Sequence, residues 1–136
     1  MNREIKFRGK LKEKGMKPVF FEGSLIHVTS TYKGEEDEQE CNVYQIVNDD
    51  GVAFFVEEET IGQYTGLHDK NGKEIYENDI VYVSGEDENA IIEWDEETAR
   101  FIIHFDGWIA DFDNYYGKEL EVRGDKYNNP ELLGGE

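Results

Sequence analysis

The sequence predicts a mainly β protein, all-β to α+β, built from short strands that close into a small barrel or sandwich. Three observations carry this. Apolar and polar residues alternate at period two in most runs, the pattern of a half-buried strand. Turn signals recur about every 8–12 residues, the spacing of small all-β folds. No long stretch shows the 3.6-residue period of a helix. In 136 residues, eight Phe, eight Tyr and two Trp can supply the core, since aromatic rings fill a small interior with few residues.

The elements follow in order. Ile5-Lys6-Phe7-Arg8 places two apolar side chains on one face and two cations on the other, and Gly9 is expected to end the run. Val19-Phe20-Phe21 and Leu25-Ile26-His27-Val28 read as two runs flanking a Gly23-Ser24 break. Residues 34–40, Gly-Glu-Glu-Asp-Glu-Gln-Glu, hold no apolar side chain and read as an exposed acidic loop. Val43–Val47 and Val52–Val56 surround Asn48-Asp49-Asp50-Gly51, a hairpin signal. A boundary is placed at Glu57-Glu58-Glu59, dividing an N-terminal β-rich or α+β part, 1–58, from a C-terminal part, 59–136. Ile61–Leu67 then enters a turn centred on Asn71-Gly72, which supplies positive φ angles. A short turn over Ile75–Asp79 feeds Ile80–Val83, and Ser84–Glu88 forms the next turn. Ala90–Trp94 and Phe101–Phe105 make a hairpin around Asp95–Thr98. Trp108–Phe112 and Leu120–Arg123 add two strands, and Asn129-Pro130-Glu131 opens a short helical turn.

Charge narrows the function classes. The chain has 14 Lys and Arg against 32 Asp and Glu, a net of −18. Residues 1–34 hold eight basic and three acidic residues, net +5; the other 102 hold 6 and 29, net −23. The basic head either lies against an acidic body, its own or a neighbouring copy's, or both are separate solvated surfaces. Direct nucleic-acid binding is not expected, because phosphate neutralisation needs clustered cations. An anionic membrane surface is disfavoured on the same ground, and no apolar run approaches the roughly 20 residues of a spanning helix. No apolar stretch follows the first charges, so no secretory signal is expected. With the lone Cys41 excluding an intrachain disulfide, these features point to a cytoplasmic protein.

Arg3-Glu4-Ile5-Lys6-Phe7-Arg8-Gly9-Lys10 at the start resembles the opening of YopX-family proteins. The run from Thr60 through Gly66-Leu67-His68-Asp69-Lys70-Asn71-Gly72-Lys73 to Ile80-Val81 resembles that family's most distinctive segment. Ile91–Trp94, Leu120–Gly124 and Asn129–Leu132 fit as well. Asn78 stands where many relatives carry Gly, and Asn tolerates the same left-handed conformation. The resemblance implies a C-terminal SH3-like barrel behind a smaller β-rich part. It also implies a phage or prophage origin in a bacterial host, with no enzymatic activity, no cofactor and no catalytic residues to carry over.

Motifs that carry chemistry fall short. Gly66-(five residues)-Gly72-Lys73 is one residue too long for a phosphate-binding loop, and Glu74 replaces the Ser or Thr that would hold magnesium. A calcium loop from Asp111 fails at Tyr116 and Val122. Acidic triplets 57–59 and 86–88 read as solvated turns. His27, His68 and His104 lack ligands at metal spacing. Cys41, beside acidic residues that disfavour a thiolate, reads as a buried or bystander thiol. Tyr64, Tyr76, Tyr82, Trp94, Phe101, Phe105 and Trp108 are read first as core, and otherwise as a groove for Pro-rich or basic peptides.

The expectation is a non-enzymatic protein-interaction module. Its candidate surface is Glu86, Asp87, Glu88, Asp95, Glu96 and Glu97, concentrated if both hairpin loops lie at one end of the barrel. Arg3, Lys6, Arg8, Lys10 and Lys12 form a candidate basic contact segment, through which one copy would touch the acidic loops of another. Two rival readings are an acidic nucleic-acid mimic blocking a DNA-binding host protein, and a carboxylate-based hydrolase, which would need a pocketed acid of raised pKa.

Overall fold

The structure, a computed structural model, describes residues 4–10, 20–33 and 38–133. The chain forms two compact units, Lys6–Ile61 and Gly62–Glu136 with Met1–Ile5. The division follows Ile61.

The first unit holds four antiparallel strands in the order β4-β3-β2-β1: β1 Phe7–Lys10, β2 Phe20–Lys33, β3 Glu38–Val47 and β4 Ala53–Phe55. Inward positions of β2–β4 make a small core. Ile46 is fully buried, and the Phe21 and Phe54 rings stack with centroids 4.0 Å apart. Asn48 builds the β3–β4 hairpin turn: its side-chain oxygen accepts the N–H groups of Asp50 and Val52 at 3.0 and 2.9 Å. Gly51 takes the left-handed conformation, φ +80°, as the Asp-Gly signal requires.

Three sequence expectations need correction in this unit. Gly9 lies inside β1 instead of ending the run, and a Cβ there would meet Val56 at 2.8 Å. Gly23 does not divide two runs: β2 is continuous through it, and Ser24 opens its ladder with β3 opposite Val47. Residues 38–40 are strand instead of acidic loop, because β2 extends to Lys33 and the ladder continues to Lys33↔Glu38. A long partner strand overrides the weak β propensity of glutamates; residues 34–37 lie outside the described residues.

The second unit begins with a hairpin, β5 Gly62–His68 and β6 Glu74–Tyr76. A five-stranded antiparallel sheet follows, β10-β9-β8-β7-β11, made of β7 Asp79–Val83, β8 Glu88–Asp95, β9 Arg100–Phe105, β10 Trp108–Asp111 and β11 Leu120–Asp125. This arrangement is compatible with the expected small barrel. β7 to β10 run as a meander, and β11 returns to close the other edge beside β7. Alternate residues point inward, and Val81, Val83, Ala90, Ile92 and Ile103 gather with Ile75, Phe105 and Leu120 in one core. Helical structure among the described residues is limited to 3-10 turns, including Pro130–Leu133 where the Pro signal predicted one.

The turns are held by buried acids. Asp69, 6% exposed, accepts the N–H groups of Asn71 and Lys73 on one carboxylate oxygen, both at 2.9 Å. Its other oxygen accepts the Val122 N–H of β11 at 2.8 Å. Asp79, 1% exposed, accepts the Tyr76 N–H at 2.9 Å. Asp125 accepts the N–H groups of Tyr127 and Asn128 at 2.9 and 3.0 Å. Strands β6 and β7 meet at Asn78, whose φ of +75° lies in the left-handed region. Ala in that region costs roughly 1–2 kcal/mol, so Asn78→Ala should destabilise by about that amount while Asn78→Gly stays near neutral. Urea unfolding of the two variants measures the difference.

Candidate functional site

The meander decides where the acidic loops go. The β7–β8 turn, carrying Glu86, Asp87 and Glu88, precedes β8; the β8–β9 turn, carrying Asp95, Glu96 and Glu97, follows it. Glu88 and Asp95 are the first and last of the eight residues of β8, so the two turns sit at its opposite ends, roughly 24 Å apart at about 3.4 Å per residue. The six candidate acids are therefore not one surface. Neighbouring antiparallel turns alternate ends, so the partner of the first turn is the β9–β10 turn at Asp106-Gly107.

That shared end forms a rim. Glu88 accepts the Asp106 N–H at 3.1 Å, joining the two turns. Tyr82 donates its hydroxyl hydrogen bond to Asp87. The chain after β10 returns to the same place, where Tyr115 donates to Glu86 at 3.4 Å. The Ser84 N–H donates to the Glu119 carbonyl at 3.0 Å, and the Glu119 carboxylate accepts the Tyr116 N–H at 2.9 Å. Aromatic rings flank these acids. Trp108 stacks on Phe105 with centroids 4.0 Å apart, and Tyr115 lies 6.4 Å from the same Phe105 ring. Trp108 remains 40% exposed and Tyr116 72%.

The electrostatics of the rim follow from its donors. The hydrogen bond to Asp87 holds the Tyr82 hydroxyl above its ordinary pKa. Burial, then the Glu86 charge, do the same for Tyr115. Both phenols are therefore held toward their protonated, donating forms. The arrangement offers negative charge beside flat apolar rings. At the opposite end, Asp95 is occupied with its own turn. It accepts the Thr98 hydroxyl at 2.7 Å and the Glu97 N–H at 3.1 Å, and these two bonds hold its carboxyl below the usual range.

The other sequence candidates are dispersed. Of the basic contact segment, Arg3 and Lys12 lie outside the described residues, and Lys6 is half-buried. Arg8 and Lys10 are only 6% and 4% exposed, with the Phe20 ring 3.9 Å from the Arg8 guanidinium and 4.8 Å from the Lys10 ammonium. They do not offer a cationic surface. Among the seven aromatics, Tyr64, Tyr76, Phe101 and Phe105 are buried, as the core reading required, whereas Trp94 and Trp108 are 40% exposed. Cys41 is exposed, not buried. His104 faces outward, with its Nδ1 2.7 Å from Glu93, and His27 stacks on Tyr44 at 4.2 Å. Sequence reasoning missed Asp106, Tyr115, Tyr116 and Glu119. The signal for the first was the strand order itself: once four strands form a meander, its first and third turns share an end.

Two β units, the second with acid-held turns and an aromatic rim, define a small antiparallel β protein. The chain belongs to the YopX protein family, whose model matches residues 6–134. It is similar to the crystal structure of protein EF1440 from Enterococcus faecalis, at 21% identity over 97% of this chain and 99% of that one, with a TM-score of 0.55. At that identity the likeness concerns the fold alone. No curated protein matches the chain.

Proposed function

We propose that this chain is a non-enzymatic phage or prophage accessory protein of the bacterial cytoplasm that works by binding other proteins. The observation that carries the reading is the rim where Glu86, Asp87 and Glu88 stand beside Trp108, Tyr115 and Tyr116. Exposed aromatic rings with adjoining carboxylates suit basic or Pro-rich peptides, since rings accept flat apolar or cationic groups and the acids steer the cations. Two facts support a role in binding over one in catalysis. The rim acids are engaged as hydrogen-bond acceptors at turns, and Tyr82 and Tyr115 are held toward their neutral forms.

The test is an affinity pull-down of tagged protein from host cells, with and without infection, read by mass spectrometry. A variant carrying E86Q, D87N, E88Q and W108A should lose the captured partner, with its far-UV circular dichroism unchanged. Removing an aromatic anchor and its charges from a weak interface costs about 2 kcal/mol, roughly thirtyfold in affinity. A partner retained equally by this variant would overturn the assignment of the rim. A captured DNA-binding protein that duplex DNA displaces would instead favour the nucleic-acid-mimic reading.

A further inference from the structure

The first unit carries a second, separate feature. β4 pairs with β3 only over Gln45–Val47. Where β4 stops, the chain turns away at Val56, whose N–H still donates to the Tyr44 carbonyl at 3.1 Å. Beyond that point a cleft of about 530 Å³ opens between the β3 stretch Cys41–Tyr44 and the segment Glu57–Glu59, with Phe55 also on its wall. A pocket of this volume falls within the roughly 300–1,000 Å³ range of binding sites.

The acidic wall is built, not loose. The Glu57 N–H donates to the Lys10 carbonyl at 3.0 Å, and the Thr60 hydroxyl donates to the Glu57 carbonyl at 2.7 Å. The Thr60 hydroxyl in turn accepts the Lys10 N–H at 2.9 Å. These backbone anchors hold the segment in place before any partner arrives, which lowers the ordering cost of binding. The opposite wall is a strand, so the cleft runs about 10 Å along four consecutive residues. Its rings are Phe55, 56% exposed, and Tyr44, on which His27 is stacked. Among the described residues, three of those lining the cleft are glutamates and none is a Lys or Arg.

We infer that this cleft docks an extended, lysine- or arginine-bearing segment of a partner protein. The strand wall sets the extended shape. Glu57 and Glu58 supply the charge complement, and Phe55 accepts cationic or apolar side chains on its exposed ring. This contact is independent of the rim described above, and it needs no reaction.

Cys41, the single cysteine of the chain, is exposed on the cleft wall and serves as a reporter. The probe is a fluorescein-labelled hexapeptide of alternating lysine and valine, with a glutamate–valine peptide as its counterpart. Binding to the full chain is read by anisotropy, and reaction of Cys41 with Ellman's reagent is timed with and without saturating lysine peptide. The expected result has three parts. The lysine peptide binds and the glutamate peptide does not. E57Q/E58Q/E59Q weakens binding at least about tenfold, whereas E86Q/D87N/E88Q, which removes the same charge elsewhere, changes it less than about threefold. Bound peptide slows the Cys41 reaction severalfold. Three results would each overturn the proposal: no binding, equal weakening by the two charge variants, or an unchanged Cys41 rate at saturation.

Discussion

Replacing Asp69 by Ala should destabilise the chain by about 4 kcal/mol, the largest effect expected of a single polar side chain here. Its carboxylate accepts three backbone N–H groups, two within its own turn and one from Val122 on β11. Hydrogen bonds to a charged group contribute roughly 1.5–3 kcal/mol each when broken singly, and these are not additive. Asp69 is 6% exposed, so the stranded N–H groups have little water to turn to. Asn at this position keeps one acceptor and presents an amide N–H₂ to the other side, so Asp69→Asn should cost about 2 kcal/mol. Urea unfolding followed by tryptophan fluorescence reads both. A loss below about 1 kcal/mol for the Ala variant would show that the turn is held by its neighbours instead.

The same carboxylate predicts a pH dependence. Burial alone pushes Asp69 up, but the N–H donors of Val122, Lys73 and Asn71 outweigh it and hold the group below its ordinary value. A carboxyl whose folded pKa is depressed stabilises the fold fully above its unfolded value of about 3.9. That contribution is lost as pH falls through the folded value. Wild type should therefore lose stability below about pH 4 more steeply than Asp69→Asn, and the gap between the two should narrow as acid is added. Denaturant midpoints taken at intervals from pH 7 to pH 2.5 follow the convergence.

Gly23→Ala should be the most damaging change in the first unit, by about 3 kcal/mol. A Cβ built at Gly23 would sit 1.9 Å from the Val47 carbonyl oxygen, and the residue's φ is +157°. The obstacle is backbone, which cannot swing aside as a flexible side chain can, so β2 and β3 would have to part where their ladder begins. Overpacking of this kind costs roughly 1–3 kcal/mol and sometimes more. By contrast Gly51→Ala meets nothing within 4 Å and bears only the cost of its positive φ, +80°, about 1 kcal/mol. Hydrogen exchange should show the Ser24–Val28 amides losing protection in Gly23→Ala and keeping it in Gly51→Ala.

How much of this was legible in the sequence differs from element to element. The hairpins at Asn48–Gly51, Asn71-Gly72 and Asp95–Thr98 stood where turn residues announced them, because turn chemistry is local. The strands of the meander followed from period-two alternation, which reports a face without needing its partner. The left-handed Asn78 was likewise written in a residue type that tolerates it. The rim was half legible: Glu86, Asp87 and Glu88 were visible as an acidic turn, and Trp108 as an aromatic beside it. Their companions Asp106, Tyr115 and Glu119 were not, since they arrive from later in the chain.

The amino-acid sequence by itself therefore determined the β class, the turns and the sign of the charge, all of which depend on residues within a few positions of each other. Tertiary structure alone decided which turns share an end of the sheet, and it sent Glu86–Glu88 and Asp95–Glu97 to opposite ends of β8. It also buried Arg8 and Lys10 where charge counting placed a surface, and it turned Gly23 from an apparent break into a point of contact with β3. The reason is common to all three. Strand order and the close approach of distant backbone set them, and the hydrogen bond from Val122 to Asp69 spans 53 positions, far beyond the reach of any local pattern.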